Sequence, residues 1–484
     1  MSLIDQVYDP EQFRAEGYRL IDLLAEHYRQ CQQAPEELPA IDYEDPRAKR
    51  AAWTARLETG VSDPQDIFRA VLAESVHLHH PHYMGHQICP PAPLAALAGL
   101  LGDSLNNGMA IYEMGMASSA AEVAAAHWTA QQLGFGPQAG GFFTSGGTLA
   151  NLTALLTARA AKARAAVWTE GQQQPLALMV SEEAHYCVDR AARIMGWGEA
   201  GVIKVPSDAH FRLRTDLLPD YLARARRDGL EVIAVVGSAC ATAAGAFDDL
   251  HAIADFCEAN DLWFHVDGAH GAALAFAPAY AHHVAGLERA DSVAMDYHKM
   301  LLTPSITTAL LYKQHQESFR TFMQRADYLL AWDTQDDWYN LARRTFECTK
   351  LMIGLKAYTL IACHGRPLFE EYVTRVCDLA RALARQVEDH PEMALLTPPS
   401  ANIICFRHQP AGLDGPRLSD HNRAIRQAML EEGEFYIVQT RIRQETWLRC
   451  VLTNAQTQPE HLRAMLSKVQ YWGKRLLEDK QGPG

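Results

Sequence analysis

The chain has 484 residues, 48% of them hydrophobic and 21% charged, with a formal net charge of −14. That length exceeds one ordinary core and calls for two or three domains, and the composition is that of a globular protein. The acidic balance argues against nucleic acid or an anionic membrane as the main partner.

No run of about 18 uncharged apolar residues occurs, so no membrane span is expected. The opening MSLIDQVYDPEQF is acidic and lacks the basic-then-apolar layout of a signal peptide. The ten cysteines form no C-x-x-C pair and read as reduced thiols, so a cytoplasmic location is the expectation.

In chain order, EQFRAEGYRLIDLLAEHYRQC carries apolar residues near i, i+3, i+4 and i+7, the period of an amphipathic helix. APEELPAIDYEDP then reads as a linker, and a second helix is expected from Ala51 to Thr59. Such an arm buries little alone and is expected to pack on another domain or subunit. From 76 to 350, short apolar runs alternate with helical segments, the pattern of an α/β domain with a largely parallel sheet. Its clearest strands are LALMVS (176–181), EVIAVVGSA (231–239), LWFHVD (262–267) and DSVAMD (291–296). Helices are expected after Gly146 and through FDDLHAIADFCEAN.

Beyond 350 come a helix from Lys350 to Cys363, another through FEEYVTRVCDLARALARQVE, strands ANIICFRH and WLRCVLTN, and a last helix from Pro459 through Leu477. The expected division is a helical N-terminal dimerisation segment (1–75), a large α/β domain (76–350) and a small α+β domain (351–484).

Two strand ends in the middle carry the chemistry. One delivers Asp267, and the other delivers Asp296, Tyr297, His298 and Lys299. A carboxylate and a lysine at neighbouring strand ends suit a cofactor with a basic ring nitrogen and an aldehyde, which describes pyridoxal phosphate. Lysine is rarely buried without a reason, although an exposed lysine at a strand end gives the same dipeptide. Asp267 follows five apolar or aromatic positions and needs a cationic partner; a pyridinium serves, as does a metal or a helix start.

In FFTSGGTLANLTALL, Thr144, Ser145, Gly146, Gly147 and Thr148 stand where a helix begins, a ready phosphate cradle. An ordinary capped helix looks the same. The Lys of a P-loop is missing, so a nucleoside triphosphate is not expected. His185 follows the 176–181 strand and suits either stacking on an aromatic cofactor or capping the next helix; Thr242 is ambiguous in the same way. Four strand ends with polar residues point to that edge of the sheet, where open α/β sheets bind ligands. The HLHHPHYMGH cluster has no spaced acidic or cysteine partner, so no metal is expected there.

The motifs HPHYMG, NNGMAIYEMG, SGGTLANLTALLTAR, SEEAHYCVDRAARIMG, TAAGAFDD, HVDGAHGAA, DYHKML, ARRTFECTKL and WLRCVLTN, in that order over residues 70 to 455, resemble the group II PLP-dependent amino-acid decarboxylases. These are the glutamate, aromatic amino-acid, histidine, cysteine-sulfinate and diaminobutyrate decarboxylases. The resemblance implies a fold-type-I enzyme with a mostly parallel seven-stranded sheet, working as a homodimer with shared active sites. By the same resemblance Lys299 condenses with the cofactor aldehyde, Asp267 partners the ring nitrogen and His185 stacks on the ring. Gly147 and Thr148 match the phosphate loop, His298 the histidine beside the lysine, Thr242 a threonine near the ring and Ala269 a small residue under it. Arg449 matches a C-terminal arginine expected near the substrate carboxylate or the catalytic loop.

The polar, aromatic stretch from Lys313 to Ala342 resembles the family's mobile catalytic loop, with Tyr328 its tyrosine and Tyr339 the second candidate; Tyr328 or His185 is the expected catalytic proton donor to the substrate carbon. His86, Gln87 and Tyr112 are the substrate-side candidates. The implied activity is that of a carboxy-lyase converting an L-α-amino acid to the amine and CO2. NNGMAIYE leans towards a small polar or acidic substrate, and ADYLL with DYHK towards diaminobutyrate. Decarboxylation coupled to oxidative deamination, giving an aldehyde, is the alternative, as is a PLP-binding protein without activity.

Overall fold

A computed structural model describes residues 2–322 and 338–481. It comprises two compact units: Met1–His86 with Leu379–Pro398 and Ile404–Gly484, and Gln87–Asp378 with Pro399–Ile403.

The larger unit is built on seven strands: β1 (Gly140–Thr144), β2 (Leu176–Ser181), β3 (Val202–Val205), β4 (Glu231–Ser238), β5 (Trp263–Asp267), β6 (Ser292–Asp296) and β7 (Thr308–Tyr312). Their order in the sheet is β1-β7-β6-β5-β4-β2-β3. Strands β2 to β6 pair in parallel, and β7 runs antiparallel to both β1 and β6. The expected mostly parallel seven-stranded sheet is therefore present. Every residue of β2, β5 and β6 is buried, which is why these strands read as unbroken apolar runs rather than alternating ones. The helix Gly147–Lys162 contributes Leu152 and Leu155 to a core shared with Val180 of β2, Val236 of β4 and Ala294 of β6. Register then levels the strand ends: Asp267 lies opposite Ser238 on one side and Ala294 on the other.

The smaller unit holds β8 (Met393–Leu395), β9 (Ile403–His408), β10 (Val438–Ile442) and β11 (Glu445–Val451), in the order β10-β11-β9-β8. Phe406, Phe435, Leu448 and Met465 pack its core. Its N-terminal helices Pro10–Gln33, Pro46–Thr59 and Pro64–Ala73 each start with proline after an aspartate whose side chain accepts a first-turn backbone N–H. Aspartate cap and proline at the first turn are mutually reinforcing start signals. The second helix consequently begins five residues before the expected Ala51.

This division differs from three successive segments. Residues 1–75 join the C-terminal residues because backbone bonds tie them together: Ala40 N and Ile41 N both donate to Gly433 O, at 2.9 and 3.3 Å. The two helices expected between 350 and 388 are present within Gly354–Glu388, separated by the non-helical Gly365 (φ 61°, ψ −161°) just before Pro367. Among the described residues no helix is long and apolar enough to cross a membrane.

Candidate active site

A cavity of about 300 Å³ opens in the larger unit, lined by residues that follow β1, β2, β4, β5 and β6. Its wall at β1 is the start of the helix Gly147–Lys162. Gly146 sits at φ +113°, a left-handed conformation that glycine takes without strain. A Cβ on Gly147 would come within 3.2 Å of both carboxylate oxygens of Asp296 and 3.5 Å of Ala269. First-turn N–H groups of a helix have no partner within the helix, so this glycine pair presents them at close range to any anion in the cavity.

All eight cofactor candidates line this cavity: Lys299, Asp267, His185, Gly147, Thr148, Thr242, Ala269 and His298. Asp267 is only 8% exposed; its Oδ1 accepts from Ala269 N at 3.2 Å, and the Cys187 thiol donates to Oδ2 at 3.8 Å. One face of this carboxylate is thus held by uncharged donors, leaving room for a cation. His185 does cap the helix Tyr186–Ile194, through a 3.4 Å bond from Cys187 N, and its ring also lines the cavity. Burial, partly countered by Asp267, lowers its pKa and favours the neutral imidazole. His185, Cys187 and Asp267 bring potential ligand atoms within 4.8 Å of one another.

Lys299 stands in the single helical turn Tyr297–Met300 and makes a 2.8 Å ion pair with Asp296. Burial pushes the lysine down, but Asp296 and then Asp267 hold its pKa above the usual value. Burial likewise pushes the Asp296 carboxyl up, and Lys299, His298 and the Thr308 hydroxyl (2.5 Å) together bring it below the ordinary range.

Three contributors are given no role by the sequence. Asp296 is one; an acid three residues before the lysine, on one helical turn, was the available signal. Asn151 is the second. Its amide donates to Gly147 O at 2.8 Å while its oxygen meets His265 Nε2 at 2.8 Å. His265 Nδ1 in turn lies 2.8 Å from Ser292 Oγ, which accepts from Trp263 Nε1 at 2.9 Å. Burial lowers the His265 pKa to about 4, so a neutral polar chain underpins the cradle and β5. Cys187 is the third, through its contact with Asp267.

The substrate candidates are not among the cavity-lining residues. In the larger unit, Gln87 has a buried amide nitrogen without a hydrogen-bond partner, and Tyr112 is 42% exposed with its ring edge-on to Tyr339 at 5.5 Å. In the smaller unit, His86 packs near Tyr436, and burial followed by Arg449 and Arg426 lowers its pKa. Arg449 is buried on β11. The histidines before it serve packing: His77 lies against His27 and His82 stacks on Phe435 at 3.9 Å, and burial lowers both to about 4. Tyr328 lies outside the described residues.

The residues fit pyridoxal phosphate: an anion cradle that a side chain would fill, a lysine, a partly satisfied carboxylate and an imidazole share one cavity. Residues 61–409 match a family model described as the pyridoxal-dependent decarboxylase conserved domain. The chain is 25% identical to an aromatic-L-amino-acid decarboxylase of Bacillus atrophaeus over 95% of both chains. It is 29% identical to an L-2,4-diaminobutyrate decarboxylase of Rhizobium meliloti over 84% of this chain and 80% of the other. In fold it is similar to mouse CSAD, with a TM-score of 0.89, 24% identity, and 96% and 99% of the two chains covered. The chain belongs to the pyridoxal-dependent decarboxylases, and pyridoxal phosphate is its cofactor.

Proposed function

We propose that this decarboxylase acts on a small polar amino acid, acidic or diamino, and releases the amine with CO2 from a homodimer. The observation that carries the chemistry is the meeting of Lys299, Asp267, His185 and the Gly146–Gly147 helix start in one cavity. When bound, pyridoxal phosphate supplies a protonated ring that takes up the electron pair left as the bond to the carboxylate breaks.

The side chains divide the remaining work. First-turn N–H groups of Gly147 and Thr148 would hold the phosphate, and the Asp267 carboxylate would keep a proton on the ring nitrogen. His185, neutral because it is buried, would lie against the ring without repelling that proton. Ala269 leaves the opposite side clear, and Thr242 and His298 bound the cavity. Lys299 Nζ would carry the cofactor and accept or return protons as product leaves. Tyr328 is assigned proton delivery to the substrate carbon, which favours the amine over an aldehyde.

The substrate reading is supported by relatives named for L-2,4-diaminobutyrate, aspartate and cysteine sulfinate at 27–29% identity. His86, Gln87, Tyr112 and Arg449 are the side chains assigned to its selection. CO2 release across a panel of acidic, diamino and aromatic amino acids tests this. The fastest turnover should fall in the first two classes, with amine as product; fastest turnover of an aromatic amino acid, or aldehyde with ammonia, overturns the reading.

Homodimerisation is supported by the helix Pro93–Leu105, which leaves Leu97, Leu100, Leu101 and Leu105 about half exposed, near Met114 and Met116 in sequence. An apolar set of this kind marks an interaction surface. Sedimentation should give twice the chain mass, and Leu101→Glu should reduce it; a monomeric wild-type enzyme that remains active contradicts the proposal.

A further inference from the structure

The roles above leave one buried charge in the cavity without a task. Asp296 is 2% exposed, ends β6, and stands one helical turn before Lys299. Its Oδ2 takes the Lys299 ammonium at 2.8 Å and faces His298 Nε2 at 3.7 Å, while its Oδ1 accepts from Thr308 Oγ at 2.5 Å. The missing side chain of Gly147 is what lets the helix start approach the same carboxylate.

We propose that Asp296 is the counter-ion that parks Lys299 as an ammonium whenever the lysine is not bonded to the cofactor, and so sets the pH at which the enzyme takes its cofactor up. This rests on Lys299 being the cofactor lysine. For capture, the ammonium gives up one proton; the neutral nitrogen then attacks the aldehyde carbon, a carbon–nitrogen double bond forms, and one water leaves. No electron is gained or lost overall. The first event is the one Asp296 opposes, because removing the proton strands a carboxylate in a cavity with little solvent.

The groups facing Lys299 are Asp296 from β6, Asp267 from β5, Cys187 and His185 from the helix start after β2, and its neighbour His298. Asp267 acts in the same direction, but Asp296 exerts the larger pull. Asp296 is thus a positioning residue: it aims Nζ and holds its proton.

The test is the pH profile of cofactor capture by the full-length chain stripped of cofactor, followed by visible absorbance after adding pyridoxal phosphate. Asp296→Asn keeps an oxygen for Thr308 and removes the charge. Its capture midpoint should fall by about one to three pH units, the usual effect of one close opposite charge. Asp296→Glu, which restores the charge, should bring it back towards wild type. A midpoint in Asp296→Asn equal to that of wild type, in a variant with native circular dichroism, overturns the proposal.

If Asp296→Asn does not accumulate, Thr308→Val reads the same coupling. Loss of that hydroxyl leaves the still-ionised carboxylate to concentrate its charge on Lys299, so the midpoint should rise by a smaller step, and an unmoved midpoint counts against the idea. Lys299→Ala separates the two layers: a surviving covalent absorbance band there refutes the lysine assignment itself, whatever Asp296 does.

Discussion

Replacing Lys299 by alanine is expected to lower decarboxylation by at least about four orders of magnitude, as loss of a covalent catalytic group does in other enzymes. The same change should destabilise the cofactor-free chain in a pH-dependent way. Lys299 leaves behind Asp296, whose side chain is 2% exposed, with only the Thr308 hydroxyl and the more distant His298 as partners. Burial, which the lysine offsets in wild type, then dominates and raises the carboxyl above its unfolded value of about 4.

A folded-state pKa raised in this way leaves stability unaffected below the unfolded value and removes it as pH rises through the folded one. Thermal melts of the cofactor-free variant should therefore approach wild type near pH 4 and fall behind it towards pH 8. The deficit should reach about 1–3 kcal/mol, less than for a sealed pair because the lysine side chain is 22% exposed. A constant difference across that range would show that Asp296 is not held charged by Lys299.

The second large effect concerns folding rather than chemistry. Lys350 and Glu122 form an ion pair with side chains 2% and 0% exposed. Lys350 Nζ also donates to Phe143 O at 2.5 Å, and Glu122 Oε1 accepts from Phe143 N at 3.0 Å. Both charges thus clamp the backbone of β1, two residues before the Ser145–Gly147 cradle. Gly354 belongs to this arrangement, since a Cβ there would press to 2.8 Å against the Glu122 carboxylate.

Lys350→Met removes the cation and leaves a buried carboxylate unpaired, at a cost of about 3–5 kcal/mol. Adding Glu122→Gln should recover much of that loss, because the amide oxygen still accepts from Phe143 N without a net charge. Denaturant unfolding checks both steps. A double variant no more stable than Lys350→Met would mean that the burden lies in lost packing, not in the stranded charge. The single variant should also bind pyridoxal phosphate more weakly, because the strand that delivers its cradle has lost its anchor.

These two pairs show where sequence reading succeeds and where it stops. Strands β2, β4, β5 and β6 were legible because parallel strands buried on both faces leave unbroken apolar runs. Strands β1, β3 and β7 were missed. The first is a glycine-led five-residue segment, the second has four residues with only one of them buried, and the third runs antiparallel in a sheet expected to be largely parallel. Lys299 and Asp267 announced themselves as charged residues at the ends of apolar strands. Asp296 carries the same signature, yet its partner is Lys299, and that pairing depends on the turn that follows β6.

Sequence alone pointed to a largely parallel α/β domain and, through an acid and a lysine at strand ends, to the cofactor class, because strand periodicity and strand-end chemistry are local; the eight cofactor candidates came from the resemblance of its motifs to a family. Tertiary structure alone decided that β7 lies between β1 and β6, that Glu122 meets a lysine 228 residues away, and that Asp296 lies against the helix start at Gly147. Those facts depend on which distant segments share one small volume, and neither strand pattern nor motif spacing encodes that.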